Sequence, residues 1–139
     1  MRKIDKIIKS LRKFLLLDDW QLSYAIVEDT NEIWEMEKAD YSRFQAALHF
    51  RKDYIEEESN DKVIELVMHE LCHIITIAPL QVFNDDEYNK KQIWNIEYCS
   101  IHNTMNIFNE QMNIKLTSIM MREFRKTKEY DKLLLKLNK

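Results

Sequence analysis

Ser59-Asn60-Asp61-Lys62-Val63-Ile64-Glu65-Leu66-Val67-Met68-His69-Glu70-Leu71-Cys72-His73-Ile74-Ile75 is the stretch whose reading decides the fold. Ser59, Asn60 and Asp61 are helix-capping residue types, and a helical pattern begins directly after them. Pro79 disfavours helical geometry at Ala78, so the spacing predicts a helix running to about Ile77. Val63, Ile64, Leu66, Val67, Met68, Leu71, Ile74, Ile75 and Ile77 make that helix apolar nearly all round, and such a helix has to be buried. His69 and His73 stand four residues apart, about 40° round the axis and one turn on. Their imidazoles can converge on one tetrahedral zinc ion at Zn–N distances of roughly 2.0–2.1 Å. Glu70 sits about 100° round from His69, placed to take a proton from a water that the metal activates rather than to ligate the metal. Left unsatisfied in an apolar helix, two histidines and a glutamate would cost several kcal/mol. A metal beside a water-filled cleft removes that cost. The competing reading is a pair of ordinary buried histidines that happen to fall at this spacing.

Working outward, Ile4, Ile7, Ile8, Leu11 and Leu15 recur at helical spacing and predict an amphipathic helix over residues 2–17. Trp20 to Val27 alternates and is rich in strand formers, which predicts a first strand. Residues 31–38 can pair with it. Phe44 to Phe50 is a third candidate, with Ala46, Leu48 and Phe50 on one face and His49 on the other. Beyond the central helix, Asn84 to Lys91 reads as a polar loop, and helices are expected over about Lys91–Met112 and Leu116–Leu137. No repeat or linker interrupts the 139 residues, so one domain, 1–139, is expected. The fold class is α+β: a small antiparallel or mixed sheet of about three strands packed on the His69–His73 helix, with helices at both ends.

Composition narrows the chemistry. The chain has no glycine, which rules out glycine-rich phosphate loops and dinucleotide fingerprints, and leaves Asn and Asp as the expected residues at left-handed turns. Cys72 and Cys99 form no Cys-x-x-Cys pair and no disulfide framework. The charged first ten residues carry no stretch long enough for a signal peptide, and no run approaches the roughly 18 apolar residues of a membrane span. A cytoplasmic protein without membrane contact is expected. Net charge is −3, yet from Lys115 onward eight Lys/Arg face three Asp/Glu. Such a basic helix could touch nucleic acid, although solvation is the default reading.

A catalytic zinc site takes three protein ligands and keeps one position open. A third histidine six residues after the second, with glycine three after it, is excluded, because those places hold Pro79 and Thr76. In the next helix the apolar stripe reads Ile93, Trp94, Tyr98, Ile101, Met105, Phe108 and Met112, and Glu97 falls inside it. A carboxylate there needs a partner, which makes Glu97 the expected third ligand. His102 lies about 140° round the helix from Glu97 and is the alternative. Asp85, Asp86 and Glu87 read as solvated loop charge, and Cys72 as a small core residue.

These features resemble the zincin metallopeptidases, in particular gluzincin-like minimal domains and the small metallopeptidases encoded by phages and prophages. The resemblance rests on His69-Glu70-Leu71-Cys72-His73, on Glu97 in the following helix and on the strands before the active-site helix, and covers roughly residues 18–112. It implies a zinc-dependent peptidase acting on a peptide or protein substrate, with Glu70 as general base and Tyr88, Tyr98 or His102 as a donor to the oxyanion. It also implies that Phe44–Phe50 forms the cleft edge that pairs with extended substrate. The chain departs from the larger gluzincins where they carry Asp four residues after the ligand glutamate, since that place is Ile101. Two other classes compete: a non-catalytic, zinc-stabilised zincin fold used as a binding or regulatory module, and a nucleic-acid accessory protein centred on the basic tail.

Overall fold

The structure is a computed structural model. It describes residues 2–28, 34–40, 43–76 and 96–138, with side chains described throughout these except at 34–39 and 96–106. Eight elements follow in order: α1 (Lys3–Phe14), β1 (Gln21–Val27), β2 (Trp34–Asp40), β3 (Gln45–Arg51), α2 (Lys52–Glu57), α3 (Asn60–Thr76), α4 (Ile96–Arg125) and α5 (Lys128–Leu137). The fold is α+β, as the residue patterns imply.

The sheet is mixed, in the order β1-β3-β2. β1 runs parallel to β3 from Gln21↔Gln45 to Val27↔Arg51, while β2 runs antiparallel to β3 from Trp34↔Phe50 to Asp40↔Gln45. A purely antiparallel sheet is therefore excluded. So is the expected pairing of residues 31–38 with the first strand, because β2 pairs with β3 instead. The physical reason lies in the connections: only residues 41–44 separate β2 from β3, and so short a link favours an antiparallel hairpin. β3, with Ala46, Leu48 and Phe50 buried, takes the central position, whereas no residue of β1 is fully buried. That placement corrects a second expectation. Both edges of β3 are already hydrogen-bonded, so Phe44–Phe50 cannot be the strand that accepts an extended substrate; among the described residues the sheet edges are β1 and β2.

One hydrophobic cluster joins the layers. Ile4, Ile7 and Leu11 of α1 meet Leu48 and Phe50 of β3, Val63, Val67 and Leu71 of α3, Met121 and Phe124 of α4, and Leu133 of α5. Nine residues of α3 are buried, as its all-round apolar character requires. It starts where the capping residues place it, with Ser59 Oγ accepting from the Lys62 N–H at 3.3 Å, and is described to Thr76.

Three local features differ from expectation. α1 stops at Phe14, not residue 17, because the chain turns left-handed at Leu16 (φ 58°) and Leu17 N donates to the Arg12 carbonyl at 2.7 Å. The left-handed positions among the described residues are thus Leu16 and Phe44, neither of them Asn or Asp. Helix α4 runs unbroken through residues 113–115, where two helices were expected, and the break comes at Lys126–Thr127. Nothing at Asn113-Ile114-Lys115 removes a backbone donor or demands a turn, whereas the Thr127 side chain caps α5 by accepting from Tyr130 N at 3.2 Å. The expected loop at 84–91 and the first residues of the expected helix at 91 lie outside the described residues. No helix among the described residues is long and apolar enough to cross a membrane.

Candidate metal centre

Helices α3 and α4 run antiparallel, face to face. Thr76 lies opposite Asn109 and Asn113, His73 opposite Glu110, and Asp61 opposite Arg125. On α3 the facing residues His69, His73 and Thr76 fall at helical spacing. On α4 Glu110, Asn113 and Thr117 do the same. Two polar stripes therefore meet inside an apolar interface, and what they enclose is the histidine pair.

His69 Nε2 lies 3.2 Å from Glu110 Oε1, and His73 Nε2 lies 3.6 Å from Glu110 Oε2. The ligand atoms of all three residues fall within 4.8 Å of one another. The edge of a tetrahedron with bonds of roughly 2.0–2.1 Å is about 3.3 Å, close to the two histidine–carboxylate separations, which run to different oxygens of Glu110; the three residues form a group that could hold a metal ion. The two imidazoles stand edge to face at 85°, with centroids 4.8 Å apart. Burial lowers the pKa of His69 against the opposing pull of Glu110, and burial together with His69 lowers that of His73. Both rings are thereby biased towards the neutral form that binds metal. Glu110 is half exposed, which leaves one side of the triad open to solvent. A cleft of about 260 Å³ adjoins His69, lined in part by Tyr54, Glu65, Ile114 and Thr117.

Support for His69 comes from α4. Asn113, fully buried, places Nδ2 3.2 Å from His69 Nδ1 and donates to the His69 carbonyl at 3.0 Å, while its Oδ1 accepts from Thr76 Oγ1 at 3.3 Å. Thr117 Oγ1 lies 3.4 Å from His69 Nδ1. A metal on Nε2 leaves Nδ1 carrying the proton, and Thr117 Oγ1 is within reach to accept it. His73 Nδ1 is buried with no hydrogen-bond partner among the described residues.

Glu70 is 1% exposed. Cys72 is fully buried, and its thiol is pushed up to about 11 by burial against a hydrogen bond with Thr117. It is a core residue. His49 points away from the buried face of β3, as its alternation implies.

The carboxylate that the structure brings to the histidines is Glu110, which sequence reasoning did not single out. Glu97, Tyr98 and His102 lie on α4, but their side chains are outside the described residues, as are Tyr88, Asp85, Asp86 and Glu87 entirely. The backbone still constrains them: Glu97 sits thirteen positions before Glu110 on one continuous helix, about 20 Å along the axis. His102 is eight positions away, about 12 Å. Neither can share an ion with Glu110.

The expected buried stripe on this helix differs in part from the structure: Phe108 and Met112 are 62% and 45% exposed, whereas Asn113 is buried. Apolar and polar residues are spread round α4, so its pattern does not define a face; Glu110, Asn113 and Thr117 are picked out by their spacing against His73 and His69. No known family model, characterised protein or solved structure matches this chain.

Proposed function

We propose that this chain is a zinc-dependent metallopeptidase of the gluzincin-like kind, with His69, His73 and Glu110 as ligands and Glu70 as general base. The observation that carries the reading is the convergence of two neutral-biased imidazoles and one carboxylate across α3 and α4, their ligand atoms within 4.8 Å of one another. Zinc held there would supply a Lewis acid for a scissile carbonyl and lower the pKa of a water at its open position. The chain's own residues do the rest. Glu70, next to His69 on the helix, takes the proton from the attacking water at its carboxylate and passes it to the leaving amine. Thr117 Oγ1 would accept from His69 Nδ1–H and so orient the ring, while Asn113 lies across the ring and donates to the His69 backbone carbonyl. β2, an edge strand that touches α3, offers the backbone row to which an extended peptide can add.

Metal analysis tests the site first. Wild type should retain one zinc per chain; Glu110→Ala should lose it, and Glu97→Ala should keep it. Zinc lost from Glu97→Ala and kept in Glu110→Ala would overturn the ligand assignment. Incubation with a complex peptide library, read by mass spectrometry, then tests the chemistry: cleavage by wild type and none by Glu70→Gln is expected, and equal cleavage by both would sink the mechanism.

The burial of Glu70 favours a second reading, a non-catalytic zinc-stabilised module, since a general base must reach water. One zinc per chain with no cleavage of the library by wild type would select it.

A further inference from the structure

A groove of about 690 Å³ runs between α1 and α5, at the two ends of the chain. Lys6, Lys9 and Lys13 line it from α1, and Lys132 and Lys136 from α5. On α1 these lysines recur at three and four residues and so share one face; on α5 they stand one turn apart. Only one carboxylate lines the groove, Glu129, and it is paired with Lys132 at 3.2 Å. Among the described residues the other four lysines make no ion pair; Lys6 Nζ instead donates to the Lys136 carbonyl at 3.0 Å, tying the two helices together while keeping its charge. The whole chain carries −3, so this concentration of positive charge is a local segregation and not a reflection of overall charge. The basic tail alone does not account for it: folding brings α1 beside α5 and adds three lysines from the opposite end of the sequence.

We propose that this groove binds the phosphate backbone of nucleic acid without reading sequence. Charge complementarity favours a phosphate backbone: five lysines line the groove against one carboxylate that is already paired, and lysine ammonium groups act as point charges on phosphate. The lining holds no Arg, Asn or Gln for paired base-edge contacts, which favours backbone contact over sequence readout. The surface does not depend on the metal reading.

Fluorescence anisotropy with the full chain and a labelled 20-base-pair duplex of arbitrary sequence, in about 50 mM salt, tests it. Lys9→Glu, Lys13→Glu and Lys136→Glu together should weaken binding at least tenfold. The slope of log affinity against log salt should become shallower by about 2 to 3, at roughly 0.9 per lost phosphate contact. A control with the same charge change outside the groove, Arg43→Glu, Lys52→Glu and Arg122→Glu, should bind like wild type. All three groove positions are on the exposed side of their helices, and the single variants read the same effect in smaller steps if the triple variant fails to fold. Absence of binding by wild type, equal loss in the control, or tighter binding of polyglutamate than of the duplex would each overturn the proposal.

Discussion

At His69 the ring is approached from three sides: Glu110 at Nε2, Thr117 at Nδ1, and the Asn113 amide across the ring and onto the backbone carbonyl. Asn113 can do this because Thr76 fixes which end of its amide faces the histidine. Loss of such a supporting partner typically lowers metal affinity by about 10- to 100-fold. Asn113→Ala should therefore weaken zinc binding by that order, measured by competition with a chromophoric chelator, while Asn113→Asp, which keeps an oxygen for Thr76 or His69, should recover part of it. Unchanged affinity in the alanine variant would remove Asn113 from the site. The histidines also set a pH dependence. Their pKa values lie below the ordinary 6.5, chiefly through burial, so below 6.5 the unfolded chain binds more protons than the folded one. Stability of the metal-free protein should be fully present above 6.5 and fall as pH drops from 6.5 towards the lowered folded values. Thermal melts in chelator at pH 7.5 and 5.5 check this; an equal fall in melting temperature at pH 5.5 in a His69→Ala and His73→Ala background would assign the trend to other groups.

Among the elements, α1 and α4 show how local chemistry sets helix ends. Leu16 holds the left-handed position that closes α1, where a side chain costs about 1 kcal/mol and glycine is the usual occupant. Leu16 is 85% exposed, so replacing it forfeits no packing. Leu16→Gly should stabilise the fold by about 1 kcal/mol, raising the melting temperature by about 3–5 °C. A lowered melting temperature would mean that the turn is held by something other than its backbone. The loop after it is pinned by Arg12, whose guanidinium donates to the carbonyls of Asp18 and Trp20. At the far end of the α3–α4 pair, Asp61 accepts from Arg125 at 3.1 and 2.8 Å and from the Tyr130 hydroxyl at 2.6 Å, joining α3, α4 and α5. Arg125 holds the Asp61 carboxyl below its usual range. Asp61→Ala should destabilise by about 1 kcal/mol, the scale of a hydrogen-bonded but partly exposed ion pair. Chemical denaturation reads this directly.

For the whole molecule, the metal should act as a folding ligand, because its three donors come from two helices that only the folded state brings together. Free zinc a thousandfold above its Kd contributes about 4 kcal/mol, so the metal-loaded protein should melt well above the chelated one. Glu110→Ala should abolish most of that difference. How much was legible in the chain follows from the range of each interaction. The buried helix, its capping start and the histidine pair are written within one continuous stretch, and burial of α3 followed from its composition alone. The three strands were also legible, to within a few residues, from alternation. Their order was not, because pairing depends on which connection is short and which strand has most to bury. Glu110 was hidden for a similar reason: apolar and polar residues are spread round α4, so nothing in it marks which face turns inward, and only docking against α3 selects it. The lysine groove exists only because α1 and α5, more than a hundred residues apart, pack side by side. What the sequence determined is the chemistry available at each position, since periodicity and residue type act over a few residues. What tertiary structure decided is which distant groups share a site, because only packing sets distances across the chain.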